Sequence, residues 1–438
     1  MLMDNYMQEE QAEAGASFNI DENVFGNIEM SEILDTIREV GGCQIFNIDV
    51  GGSVVSTPTY YKGMIYFGSC DKNFYAVEAE TGRELWRFPT GAPICSTPTI
   101  KDDVIYFGSY DNCLYAVSTK GTLLWKFSTK SRIFSNPAVY GNAVYFGSND
   151  GCVYALSTSG KLLWRFRTGD FVSSSVIVHN NMLFVGSADR NMYALSLDGK
   201  MLWKFATGGQ VSSVPTVRDG VVYFGSLDHN LYAVDAETGR ELWRFPTEGM
   251  IFGKATVDED SVYFGSSDRN LYAIGTDGKE RWRFSTGEMV TSVPNVSGGR
   301  VFFGACDNNY YAVDQKTGRR LWKFETNGII ICRMASLYDG IIYFGSYDCN
   351  VYALDIKGRL KWKFPTSLSF QSAVHVEGRR PESQVELTWR AGLESGKKAR
   401  DDEVSIADYG EFSGAYIDTT KSDYISSGKK GYIKRKDA

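Results

Sequence analysis

Eight tryptophans recur at a nearly fixed interval. Trp86, Trp125, Trp164, Trp203, Trp243, Trp282, Trp322 and Trp362 are separated by 39, 39, 39, 40, 39, 40 and 40 residues, and only Trp389 lies outside the series. A period near 40 constrains the fold more than composition does, because each repeat must be one supersecondary unit that buries its apolar face against its neighbours. Each unit contains four short strand-like segments. In the second copy they are an A segment (94–100, ICSTPTI), a B strand (104–109, VIYFGS), a C strand (113–118, CLYAVS) and a D strand (122–127, TLLWKF). Asp, Asn, Lys and Gly fill the turns between them. Four strands per roughly 40 residues is the signature of a propeller blade. Eight copies predict an all-β chain forming an eight-bladed β-propeller of four-stranded antiparallel blades over residues 43–376. The 26 Tyr, 26 Phe and 45 Gly against 10 Pro favour strands and tight turns in the same sense.

The one-residue variation in period has a local cause. Repeats 1, 5 and 7 join C to D through ETGRE, ETGRE and KTGRR, and the others use shorter turns such as TKGT and LDGK. Both versions place Gly where a hairpin needs positive φ. A large ring at one fixed position of every blade is expected to fill the space between neighbouring sheets, so the eight tryptophans are read as structural.

The segments AVEAETGRELW (76–86), AVDAETGRELW (233–243) and AVDQKTGRRLW (312–322) resemble the Ala, Asp, Thr-Gly and Trp pattern of the quinoprotein-type, or PQQ-like, propeller repeat family. The resemblance spans about residues 43–376. That family includes pyrroloquinoline-quinone dehydrogenases and non-catalytic members such as the lipoprotein of the outer-membrane β-barrel assembly machine. The resemblance implies a secretion signal, a disulfide of adjacent cysteines and calcium ligands for the dehydrogenases, and a lipidated Cys for the lipoprotein. This sequence shows none of these patterns. The expectation is therefore a cytoplasmic, non-catalytic relative without a cofactor. The alternative is a small-molecule or quinone-binding protein, including a PQQ-dependent oxidoreductase with calcium.

Outside the repeats the chain changes character. Residues 1–42 form an acidic segment, with ten Asp/Glu and one Arg in the first 40 residues, in which Met30, Ile33, Leu34 and Ile37 share one stripe of a predicted short helix over 27–42. Residues 377–438 are expected to be an irregular extension whose last eighteen residues hold six Lys/Arg against Asp423 and Asp437. Net charge is −7 with a pI near 5.3, which argues against broad nucleic-acid binding. No apolar run is long enough for a transmembrane helix. Cys43, Cys70, Cys95, Cys113, Cys152, Cys306, Cys332 and Cys349 show no CxxC pair and are expected to be free thiols. Residues 43–50 are expected to lie against the last blade and close the ring, in competition with the intact strand LKWKF. A ninth blade using 367–376 is the other arrangement.

Asp71, Asp111, Asp150, Asp189, Asp228, Asp268, Asp307 and Asp348 follow the B strands. They form either a carboxylate ring or, more simply, turn residues that bond their own backbone. Arg87, Lys126, Arg165, Lys204, Arg244, Arg283, Lys323 and Lys363 follow the tryptophans and read as edge-strand charges. Departures from the repeat are more informative. Where other blades carry Thr, Asn, Ser or Val at one A-segment position, blades 6 and 8 carry Lys254 and Arg333, and Arg132 enters four positions earlier in blade 3. In the resembled family the A strand lines the central channel, so these cations are candidates for an anionic ligand or acidic partner. Phe171, Met250, Phe252, Met289 and Ile329 give the same loop edge an apolar character, read either as a peptide-docking patch or as ordinary strand-end burial. The three histidines have no paired spacing, and no nucleophile motif or zinc cluster is present. The function expected is a non-enzymatic scaffold that binds a protein or peptide partner through its loop face and channel mouth.

Overall fold

The computed structural model describes residues 52–331 and 335–366, together with two strands near the C-terminus. Every regular element among these residues is a β-strand. Thirty-two of the strands form eight four-stranded antiparallel sheets, each built from four strands consecutive in sequence. In blade 1 they are Thr59–Tyr61, Met64–Gly68, Asn73–Glu78 and Glu84–Pro89. The expected helix within 27–42 lies outside the described residues. The chain divides into two compact units, Gly42–Val374 and a second made of Met1–Gly41 and His375–Ala438. In the second unit, where an irregular extension was expected, strands Asp423–Ser427 and Lys430–Lys434 pair as an antiparallel hairpin.

Alternation along each blade follows from where its strands lie. The second and third strands are buried on both faces and read as near-continuous apolar runs such as IYFG and FYAV. The fourth strand alternates: in Glu84–Pro89, Trp86 and Phe88 turn inward while Leu85 and Arg87 face solvent.

Each tryptophan joins two blades. Trp86 Nε1 donates to the Thr119 carbonyl of blade 2 at 3.1 Å, Trp125 to Thr158 at 2.9 Å, and the pattern repeats to Trp322 and Ile356 at 3.1 Å. Each ring lies over the turn glycine of the next blade. At Gly239, where φ is +69°, an added Cβ would come 2.7 Å from the Trp203 ring. Backbone conformation and the neighbouring indole therefore both require Gly there.

The eighth blade meets the first in the same way. Trp362 Nε1 donates to Ala79 O at 2.9 Å, Tyr75 OH to Thr366 O at 2.5 Å, and Tyr60 stacks on Tyr338 at 3.5 Å between ring centroids. The ring thus closes with eight blades, which excludes the nine-bladed arrangement. The outermost place in blade 8 is taken by Leu360–Pro365, paired to Asn350–Asp355. That strand wins the competition for the slot because it carries the complete repeat pattern, Trp362 included. Residues 43–50 and 367–376 lie outside the described residues.

Candidate channel site

The aspartates after the second strands work between blades as well as within their own turns. Asp111 Oδ1 accepts from Cys113 N at 3.1 Å, and Oδ2 accepts from Tyr115 OH at 2.7 Å and from Gly91 N of blade 1 at 2.9 Å. The same triple recurs at Asp189 and Asp228. Burial pushes the carboxyls of Asp189 and Asp228 up. The donors from Tyr193, Gly169 and Asn191, and from Tyr232, Asn230 and Gly208, outweigh it and hold both below the ordinary value of 3.8. The turn reading holds, with one refinement. The left-handed residue is the one after the Asp: Lys72 at φ 71°, Arg190 at 69°, His229 at 71°. The inter-blade bond from the preceding loop was not legible from the repeat, because its donor is a backbone N–H of any residue type.

The cations after the tryptophans divide into two groups. Arg87, Arg244 and Arg283 are held by Glu84, Glu241 and Glu280 three residues earlier, with contacts of 2.6–2.8 Å. Lys126, Arg165, Lys204, Lys323 and Lys363 have Leu or another residue at that place and form no ion pair among the described residues.

The first strands and the segments before them surround the axis and line a cavity of about 260 Å³. Its wall includes Thr57, Thr97, Asn136, Ser175, Val214, Lys254 and Val293, one from each of blades 1 to 7. The eighth residue of this tier, Arg333, lies outside the described residues. On the polar side the tier is stitched together: Thr57 N donates to Thr97 Oγ1 at 3.1 Å, Thr97 N to Asn136 Oδ1 at 2.7 Å, and Asn136 N to Ser175 Oγ at 2.9 Å. Val214, the next residue around from Ser175, has no side-chain acceptor to extend the series. Thr57 Oγ1 is buried without a hydrogen-bond partner among the described residues.

Lys254 stands on the side where the stitching has stopped. It is partly buried beside Phe252 and Gly253, and no carboxylate, carbonyl or hydroxyl pairs with its ammonium among the described residues. Burial alone holds its pKa below the usual 10.5. A partly buried cation with no counter-charge among the described residues is a costly arrangement.

The other described residues singled out from the sequence are placed in different ways. Phe252 lines the same cavity. Arg132 extends over the Tyr110 ring, 5.3 Å from its centroid, in a cluster that includes Phe134. Met289, Phe252 and Ile329 are 5%, 6% and 1% exposed, so for them strand-end burial holds in place of an open docking patch. Phe171 and Met250 remain partly exposed. Thr57, Thr97, Asn136 and Ser175 look like repeat background in the sequence, although they occupy the same column as Lys254 and that column changes from polar to mixed after blade 4.

Two family profiles cover the repeats. The one described as "Beta-alanine-activating enzyme, beta-propeller" matches residues 157–385, more than half of the chain. The chain belongs to this propeller family. The profile described as "Outer membrane protein assembly factor BamB" matches residues 44–166, in keeping with the PQQ-like repeat. No curated protein matches the sequence. Among solved structures, the computationally designed Ika8 protein is 18% identical, with a TM-score of 0.63 over 69% of this chain and 96% of that one. BamB from Moraxella catarrhalis is 19% identical, with a TM-score of 0.58 over 69% of this chain and 92% of that one. At these identities the structural likeness concerns the fold.

Proposed function

We propose that this propeller is a non-catalytic scaffold that receives a protein or peptide partner at the mouth of its central channel, with an acidic group of the partner reaching Lys254. The observation that carries the reading is the wall cation with no counter-charge among the described residues, at a column where the neighbouring blades 5 and 7 have Val. A carboxylate brought by a partner supplies that charge, and Phe252, Val214 and Val293 offer it an apolar surround in which the pairing is strengthened. The likeness to the assembly factor's propeller favours a binding role in general terms.

A calcium-held quinone fits the cavity poorly. None of the described lining residues is a carboxylate, and the one amide oxygen, Asn136 Oδ1, already accepts from Thr97 N. Calcium takes six to eight oxygen ligands, commonly including carboxylates.

The test is capture of a stoichiometric partner from native extract by the full chain, repeated with Lys254→Met. Retention of the partner by wild type and its loss from the variant support the reading. Unchanged recovery with Lys254→Met overturns it. Dye reduction on adding pyrroloquinoline quinone with calcium also overturns it, in favour of an oxidoreductase.

A further inference from the structure

The outer rim of blade 3 departs from the repeat at several positions that meet in space. Its outermost strand, Leu162–Arg167, reads LLWRFR. In blades 1, 5 and 6 the arginine after the tryptophan is gripped by a glutamate three residues earlier and lies 5.1–5.3 Å from the centroid of a tyrosine ring. Blade 3 has Leu162 where those blades have glutamate, so Arg165 is released from that grip. Two residues on, Arg167 stands where the other seven copies have Pro, Ser, Ala or Glu. Lys130, in the loop leading into blade 3, stands where the other described copies have Gly91, Gly169, Gly208, Glu248, Gly287 and Asn327.

These three cations line one pocket of about 200 Å³ with Asp150, Cys152 and Tyr154. The carboxylate of Asp150 is already occupied. Its Oδ1 accepts from Cys152 N at 3.1 Å, and its Oδ2 from Tyr154 OH at 2.7 Å and Lys130 N at 3.0 Å. None of the three cationic heads forms an ion pair or side-chain hydrogen bond among the described residues. Three positive charges against one carboxylate leave the pocket with an excess of two.

We propose that this pocket binds a phosphate dianion, either free or as a phosphomonoester, between Arg165, Arg167 and Lys130. The two guanidinium forks match adjacent oxygens of a tetrahedral anion, and Lys130 supplies a further charge from a separate chain segment. The volume admits such an anion with several waters, each of which takes about 30 Å³ of liquid. The site lies on the outer rim and does not depend on the channel reading.

The full-length protein provides the test, titrated with inorganic phosphate at low ionic strength by calorimetry. Wild type is expected to show saturable binding, and Arg165→Gln with Arg167→Ser to bind about tenfold more weakly or not at all. Arg283→Gln, at the glutamate-held position of blade 6, is expected to leave phosphate binding unchanged. The exposure of all three arginines keeps folding out of the result, and a melting curve for each variant verifies it. Equal affinity in the double variant overturns the proposal, as does equal affinity for acetate. A parallel titration with phosphoserine separates the sources: tighter binding than inorganic phosphate assigns the anion to a phosphorylated side chain, and equal or weaker binding assigns it to free phosphate.

Discussion

The seams between blades and the wall of the channel are built by the same eight repeats, yet they use repetition in opposite ways. At the seams every copy does the same work. Trp203 donates to Ala236 O at 2.9 Å, as its counterparts do around the ring, and Asp228 takes Gly208 N from the preceding blade at 2.7 Å. In the channel the same tier is Thr, Thr, Asn and Ser in blades 1 to 4, then Val, Lys and Val in blades 5 to 7. A closed ring tolerates no weak seam, because each blade is held only by its two neighbours. The axis tolerates variety, since its residues face a cavity in place of a packed sheet.

The sharpest way to break this comparison is to remove a seam ring. Trp203→Ala is expected to destabilise the propeller by about 3–5 kcal/mol, read from guanidinium unfolding. A loss below about 1 kcal/mol would show that the seams do not depend on their tryptophans. Next in size is Asp228→Ala, which leaves Tyr232, Asn230 and Gly208 without their acceptor and is expected to cost about 2 kcal/mol.

The same aspartates set an acid limit. Because the folded pKa values of Asp189 and Asp228 are depressed, their contribution is complete above the ordinary value of 3.8 and is lost as pH falls through the lower folded values. Urea midpoints measured from pH 6 downward should therefore hold until about pH 4 and then fall. The Asp228→Ala variant should fall less steeply.

The smallest effect is expected in the channel, and with the opposite sign. Lys254→Met removes a desolvated charge and is expected to stabilise the free protein by about 1 kcal/mol. Since the folded pKa of Lys254 lies below 10.5, its penalty is full below that folded value and fades as pH rises towards 10.5. Wild type should therefore gain stability relative to Lys254→Met over the alkaline range. A destabilised Lys254→Met variant would mean that the lysine is a packing element and would remove the contrast between wall and seam.

Much of the fold was legible because a 39- or 40-residue period with one Trp per copy leaves few architectures. Strand order and one large ring per blade are read directly from the repeat, whereas the choice of eight blades over nine came from the closure of blade 8 on blade 1. The channel was legible in part. Lys254 stood out as a departure from its column, and the structure puts it on the cavity wall. The apolar loop residues Met289 and Ile329 also stood out, but they are buried within the ring, and hydrophobicity alone does not separate a docking patch from a core. Blade 3's rim was not visible. Arg165 looks like every other cation after a tryptophan until the missing glutamate three residues earlier, and Lys130 from another segment, are seen beside it.

By itself the sequence determined the repeating unit: four strands, glycine turns, an inward Trp and an outward cation, each set by period-two alternation and turn chemistry. Tertiary structure decided which departures from that unit meet. Lys254 shares a cavity with Thr57 because a closed ring brings residues nearly two hundred positions apart to one axis, and Lys130 meets Arg167 because adjacent blades pack loop against strand. Distances across a ring are fixed by its closure, and closure is a property of all eight blades together.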